Sequence, residues 1–261
     1  MTQSFSLDQD LITFLNAIVD QTDPILTHYF EALHLKVDQK EDGSPVTDAD
    51  RKIEETVQSI CQEYGSTLAV VGEEFGHQGP DDAIRVIVDP IDGTRNLVKG
   101  IPIVGTLIGI EHCGEVLAGM VSNPILKQRW VAAKGKGAFY NGKPIKVSDV
   151  GDLSQSQAFH GSLSGSEATA IPDSVWPLLK DTHRQRGVGD FYMHCLVAMG
   201  AGEFAVDAGL KPWDIAPFPI LLSEAGGKCS DFLGNTSIYS GSLISSNKAL
   251  YQTVFDRITA T

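Results

Sequence analysis

The chain predicts a layered protein of the α/β (α+β) class, and three observations predict it. Apolar residues recur at helical spacing in the first third, strand-like runs follow one another through the middle, and helix and strand patterns alternate to the end. At 261 residues the chain can bury a substantial core. We expect one compact unit of two halves: residues 1–150 as an N-terminal α+β half and residues 151–261 as a C-terminal α/β half.

Leu11, Phe14, Leu15, Ile18 and Val19, then Ile25, Leu26, Tyr29, Phe30 and Leu33, fall on one helical stripe, which Pro24 is expected to bend or interrupt. Residues 36–47 are polar, carry Gly43 and Pro45, and read as a mobile loop. Thr47 then has the character of an N-cap, with Asp48 and Asp50 in the first turn and Ile53, Val57, Ile60 and Cys61 as the apolar stripe. Strands are predicted at 68–71, 85–88, 103–111, 116–122 and 129–133. Gly135-Lys136-Gly137 and Asn141-Gly142-Lys143 punctuate a hairpin near the sheet edge. The polar stretch 147–167 is a candidate seam, with a strand at 157–161. Beyond it, helices at 173–182, 191–200, 214–225 and 247–259 alternate with strands at 185–188, 203–206, 228–230 and 242–245. There is no internal repeat.

Twenty basic residues against 33 acidic ones give a formal net charge of −13. That balance excludes nucleic acid and anionic membrane as expected partners, because both require a basic face. Residues 1–10 are polar and acidic, so no secretory signal is expected, and no apolar run reaches the length of a membrane span. Cys61, Cys113, Cys195 and Cys229 are scattered, as reduced thiols of a cytoplasmic protein would be. The seven histidines show no metal-ligand spacing and read as structural or surface groups.

The informative residues are acids at element ends. Arg85-Val86-Ile87-Val88 reads as a buried strand that runs into Asp89-Pro90-Ile91-Asp92-Gly93-Thr94. Taken alone this is an ordinary turn composition. Gly93 and Thr94, however, offer backbone N–H groups where a helix starts, a natural phosphate cradle. Glu73, beside Glu74, ends the preceding strand, Asp50 sits in a helix first turn, and Asp214 follows Pro212-Trp213. Asp214 is expected to N-cap the helix 214–225, a role compatible with ligation; Pro219 should bend its start and Gly226-Gly227 should end it. Asp50 needs no function to sit where it does, since acids favour helix starts, and Glu74 reads as a surface or supporting acid. Acids so placed, mostly without a basic neighbour, repel one another unless a cation lies between them, which is the logic of an Mg²⁺ site.

In order and spacing, GSPVTDAD, VVGEEFG, VDPIDGTRNL and KPWDIAPFPILLSEAGG resemble the inositol monophosphatase family of Mg²⁺-dependent, Li⁺-sensitive phosphatases, over roughly residues 36–247. The resemblance implies an αβαβα sandwich of the inositol monophosphatase and fructose-1,6-bisphosphatase type, usually dimeric. It also implies two to three Mg²⁺ ions: Glu73, Asp89 and the Ile91 carbonyl for the first, Asp89, Asp92 and Asp214 for the second, with Glu73 available to a weaker third. By the same resemblance Gly93 and Thr94 bind phosphate through their backbone, Thr94 paired with Asp50 orients and deprotonates the attacking water, and Lys40 lies near the metals. The substrate is then a small phosphate monoester. Without a Cys-x5-Arg loop or matching histidine pair, a covalent phosphoenzyme is not expected.

Substrate choice is expected at Asp190 and Asp207, together with Asp92 and Asp214. The Gly189-Asp190-Phe191-Tyr192 and Val206-Asp207-Ala208-Gly209-Leu210-Lys211-Pro212-Trp213 strings look like the histidinol-phosphate phosphatase branch. Two acids beyond the metal ring suit an ammonium and an imidazolium better than neutral hydroxyls. Asp190 has a second reading, as the cap of the helix beginning at Phe191. L-histidinol phosphate is therefore favoured, with inositol 1-phosphate as the alternative and a catalytically idle ligand-binding relative as the reading from another class.

Overall fold

In the computed structural model, residues 10–32, 37–39, 45–65, 67–80, 83–163 and 170–259 are described. An eight-stranded sheet and a five-stranded sheet are stacked with helices between and outside them. The larger sheet contains β3 (Leu68–Gly72), β4 (Gly76–Gln78), β5 (Ile84–Asp92), β6 (Gly105–His112), β7 (Glu115–Asn123), β8 (Gln128–Ala133), β9 (Gly137–Tyr140) and β10 (Lys143–Pro144), in the order β10-β9-β8-β7-β6-β5-β3-β4. Only β3 and β5 pair in parallel; the other pairings are antiparallel. The smaller sheet contains β11 (Gln157–His160), β12 (Arg184–Gly187), β13 (Phe204–Ala208), β14 (Lys228–Ser230) and β15 (Ser242–Ser246), in the order β12-β11-β13-β15-β14.

Strand alternation explains the layers. Along β5, Val86 and Val88 pack against α1 (Leu11–Glu31) and α2 (Asp48–Tyr64) through Phe14, Ile18, Val57 and Ile60. Ile87, between them, points to the opposite core. That central core holds α5 (Asp190–Ala198) and α7 (Phe218–Glu224) between the sheets, around Trp130, Phe191 and Phe218. A third cluster joins the outer face of the small sheet to α4 (Val175–Lys180) and α8 (Tyr251–Thr259). With apolar side chains on both faces, the strands carry near-continuous hydrophobic runs. The result is the αβαβα sandwich that the resemblance implies.

Two glycines let the layers approach. Gly109 on β6 and Gly119 on β7 are cross-strand partners. A Cβ on Gly109 would lie 2.6 Å from the Ala216 Cβ, and one on Gly119 would lie 2.6 Å from the Pro217 carbonyl oxygen. The segment joining α6 (Pro212–Ile215) to α7 therefore lies directly on the sheet, which carries the acid of α6 toward the end of β5.

Several expectations are corrected. Helix α1 runs unbroken through Pro24; the proline is on an exposed side of the helix, where the carbonyl it strands can meet water. Within 36–47, β1 (Val37–Gln39) and β2 (Pro45–Thr47) pair as an antiparallel ribbon in place of a plain loop. The expected helix 214–225 is two helices, because Pro217 and Pro219 restart it, and Pro212 moves the first start forward. The last helix starts at Tyr251, since Asn247 turns inward to accept from the Leu250 N–H at 2.9 Å. All four cysteines are free, and among the described residues no helix is long and apolar enough to cross a membrane.

Candidate active site

A bulge builds the centre. Residues three apart on a regular strand face opposite ways, so Asp89 and Asp92 would be separated by the sheet. Here the β5–β6 register passes from Asp89↔Leu107 to Asp92↔Gly105, placing two residues of β5 opposite one of β6. The extra residue restores parity and re-aims the strand end. Thr106, the residue opposite the bulge, donates its hydroxyl to the Pro90 carbonyl at 2.8 Å. Gly93 follows at φ +84° and opens α3 (Thr94–Lys99); a Cβ there would lie 2.6 Å from the Ile103 carbonyl oxygen.

Helix α2 supplies the second wall. Thr47 is its N-cap, as predicted, and Asp50 completes a capping box: its Oδ2 accepts from the Thr47 N–H at 2.8 Å and hydroxyl at 2.7 Å. The Thr94 hydroxyl lies 3.5 Å from Asp50 Oδ1 and donates to the Ile91 carbonyl at 2.9 Å. One turn along the same helix, Glu54 is fully buried and accepts from the N–H groups of Glu74 and Phe75, at 2.8 and 3.1 Å. Glu54 thereby holds the turn that presents Glu73, through a gap that Gly72 leaves open. Sequence reasoning missed Glu54; its four-residue spacing from Asp50 was the available signal.

The remaining acids meet at a cavity of about 740 Å³ lined by Asp92, Asp190, Asp207 and Asp214. Asp214 occupies the first turn of α6 and accepts from the Lys211 N–H at 2.7 Å, so it closes the turn from inside and is not the N-cap. Asp190 does not cap α5 with its own side chain. The Phe191 N–H instead donates to Asp92 Oδ2 at 2.6 Å. Asp190 stands at φ +49°, a left-handed conformation uncommon outside glycine, and accepts from Asn96 Nδ2 at 2.7 Å. Asn96 also donates to the Ile103 carbonyl at 2.9 Å. Neither Asn96 nor this link was visible in the sequence, because the partners lie 94 positions apart. Lys40 lies outside the described residues.

These acids sit at a high electrostatic cost. Burial, then the charges of Glu73, Asp92, Asp214 and Asp50, push the Asp89 carboxyl well above its usual range. Asp92 is raised by burial and by Asp190 and Asp214, against the opposing Phe191 N–H. Burial lifts Asp50 to about 6 against its Thr47 hydrogen bonds, with Glu74 and Glu73 adding to the rise. Asp214 also reaches about 6, mainly through burial, with its Lys211 N–H opposing and Glu73 reinforcing. Among the described residues, no three His, Cys, Asp or Glu side chains already form a closed metal-ligand group. The donor chemistry nevertheless fits a hard divalent cation: oxygen ligands only, uncompensated negative charge, and a buried Asp89 Oδ1 with no hydrogen-bond partner.

The profile of the inositol monophosphatase family matches residues 7–259. The chain is 36% identical over 259 residues to the histidinol-phosphatase of Mycobacterium tuberculosis, covering 97% of this chain and 100% of that one. It is 37% identical over 237 residues to the histidinol-phosphatase of Chlorobaculum parvum, covering 89% and 90%. Among solved structures, the extragenic suppressor protein suhB of Bartonella henselae superposes with a TM-score of 0.88 at 25% identity, over 96% of this chain and 98% of that one. The sandwich, the acid-lined cavity and these likenesses define a phosphoric monoester hydrolase. The chain belongs to the inositol monophosphatase family, whose members are Mg²⁺-dependent, and within it resembles histidinol-phosphatases at 36% and 37% identity.

Proposed function

We propose that this chain hydrolyses L-histidinol phosphate to L-histidinol and phosphate. The observation that carries the reading is the cavity beside the bulge, where Asp190 and Asp207 add two acids to Asp92 and Asp214. An alcohol bearing an ammonium and an imidazole finds anionic partners there, whereas the neutral hydroxyls of inositol would leave those carboxylates poorly matched. The identity to histidinol-phosphatases supports the same choice.

In this proposal Glu73, Asp89 and the Ile91 carbonyl hold one Mg²⁺, and Asp89, Asp92 and Asp214 hold a second, with Glu73 open to a third. Bound Mg²⁺ supplies neutralisation of phosphate charge and acidification of water. The protein's own groups do the rest. The Gly93 and Thr94 N–H groups hold phosphate oxygens. The Thr94 hydroxyl, backed by Asp50, orients the attacking water and passes its proton inward. Asp190, fixed by Asn96, and Asp207 seat the cationic alcohol so that attack runs in line with the departing oxygen.

The deciding experiment is a kcat/KM panel on histidinol phosphate, inositol 1-phosphate and 2′-AMP, in the parent protein and in Asp190→Ala. Histidinol phosphate should be the best substrate, and Asp190→Ala should lower its kcat/KM about 10–100-fold while sparing inositol 1-phosphate. Equal losses on both esters would remove the charge-reading role of Asp190. The homodimer that the resemblance implies is tested by sedimentation of the purified chain.

A further inference from the structure

A buried polar chain runs from the cavity wall, which His194 and Asp207 both line, into the small sheet. His194, on α5, is 2% exposed, and its Nδ1 lies 2.8 Å from the Ser245 hydroxyl of β15. Ser245 is fully buried, and among the described residues His194 is its side chain's hydrogen-bond partner. On the other side of the ring, Nε2 is buried without a hydrogen-bond partner and stands 3.8 Å from Asp207 Oδ2. Phe218 packs against the imidazole with centroids 4.8 Å apart. Asp207 is 18% exposed and its other oxygen, Oδ1, accepts from the Ala208 N–H at 2.9 Å.

Proton counting gives this arrangement a direction. A buried hydroxyl needs an acceptor, and His194 Nδ1 is the one within reach of Ser245. If Ser245 donates to Nδ1, the neutral ring carries its proton on Nε2, aimed toward Asp207. A buried N–H without an acceptor is unfavourable, and a short turn of the Asp207 side chain satisfies it. The ring then grips Asp207 from behind, while the free lone pairs of the carboxylate remain directed into the cavity. Such a partner fixes both orientation and tautomer, as carboxylate–histidine pairs do elsewhere.

We propose that His194, set by Ser245, is a positioning residue that fixes Asp207 as the carboxylate reading the cationic alcohol, and so determines substrate selectivity without touching the reacting phosphate. The substrate part rests on the reading of the site as one for histidinol phosphate; the Ser245–His194–Asp207 relay does not.

Two measurements test it. In ¹⁵N spectra of the folded protein, His194 should be a neutral ring protonated at Nε2, and Ser245→Ala should mix the tautomers. A ring protonated at Nδ1 overturns the proposal, whatever the substrate. In kinetics, His194→Met fills the same space without the donor. It should raise KM for histidinol phosphate about tenfold while changing kcat, and KM for glycerol 2-phosphate, whose alcohol carries no charge, less than about twofold. His194→Gln, whose amide restores an N–H near Nε2, should recover most of the loss, and in an Asp207→Asn background His194→Met should add nothing. Equal losses on both esters, or additive effects in the double variant, overturn the positioning role. If the parent protein does not prefer histidinol phosphate, the substrate reading fails on its own, and the tautomer spectra still decide the relay.

Discussion

Two sets of buried acids face each other across this site, and the protein treats them differently. Asp50 and Glu54 on α2 are met by N–H and O–H donors: Asp50 takes both donors of Thr47, and Glu54 takes the N–H groups of Glu74 and Phe75. Asp89, at the bulge of β5, is as deeply buried yet keeps an oxygen without a partner among other acids. The acids of α2 are held by donors, and Asp50 also faces the Thr94 hydroxyl; on β5, Asp92 takes the Phe191 N–H while Asp89 keeps one oxygen that no donor among the described residues meets. Burial alone does not separate these acids; what sets Asp89 apart is a buried carboxylate oxygen left without a donor.

The largest effect should come from breaking the β5 set. Asp92→Asn keeps an oxygen to receive the Phe191 N–H, so the fold should survive, while Mg²⁺-dependent phosphate release should fall about 10²–10³-fold or more. Full release by the parent protein in EDTA would remove metal assistance from the account. On the α2 side, Glu54→Ala leaves two N–H groups without their acceptor and should lose about 1–3 kcal/mol in urea unfolding. It should also lower kcat about tenfold by loosening the turn that carries Glu73.

A smaller effect of opposite sign sharpens the contrast. Asp89→Asn removes a charge from a repelling cluster and gives its neighbours a donor, so in EDTA it should raise stability by about 1 kcal/mol although it abolishes activity. Destabilisation in EDTA would mean that Asp89 is satisfied in a way its geometry does not reveal. The most graded test is pH. Asp50 and Asp214 rise from 3.8 to about 6 on folding, so the metal-free folded state binds protons more tightly than the unfolded chain. Their favourable contribution is complete below about 3.8 and is lost as pH rises through about 6. The melting temperature in EDTA should therefore fall between pH 5 and 7.5, and saturating Mg²⁺ should flatten or reverse that trend.

What was legible in the sequence was local. The β5 strand with its Asp-Pro-Ile-Asp-Gly-Thr end, the Thr47 cap with Asp50, and the apolar stripes of α1 and α2 declare themselves within a few residues. What escaped depends on distant partners. Pro24 is tolerated because of which side of α1 it occupies, and the β1–β2 ribbon is set by pairing across residues 40–44, which composition reads as loop. Asp190 looked like a cap for its own helix, yet Asp92 supplies that bond from 99 positions away. Glu54, Asn96, His194 and Ser245 carry no motif; each acquires meaning only from the atom it faces.

The cross-strand pair Gly109 and Gly119 carries a consequence for heredity. Any single-base change that replaces a glycine installs at least a Cβ, and at these two positions that atom would meet Ala216 and Pro217 at 2.6 Å. Neither glycine has any chemistry of its own. Yet no point mutation that replaces either can be neutral in space, because it must push the chain bearing Asp214 away from the sheet. Loss-of-function alleles of this enzyme should therefore collect at two residues that line no part of the cavity as well as at the acids themselves.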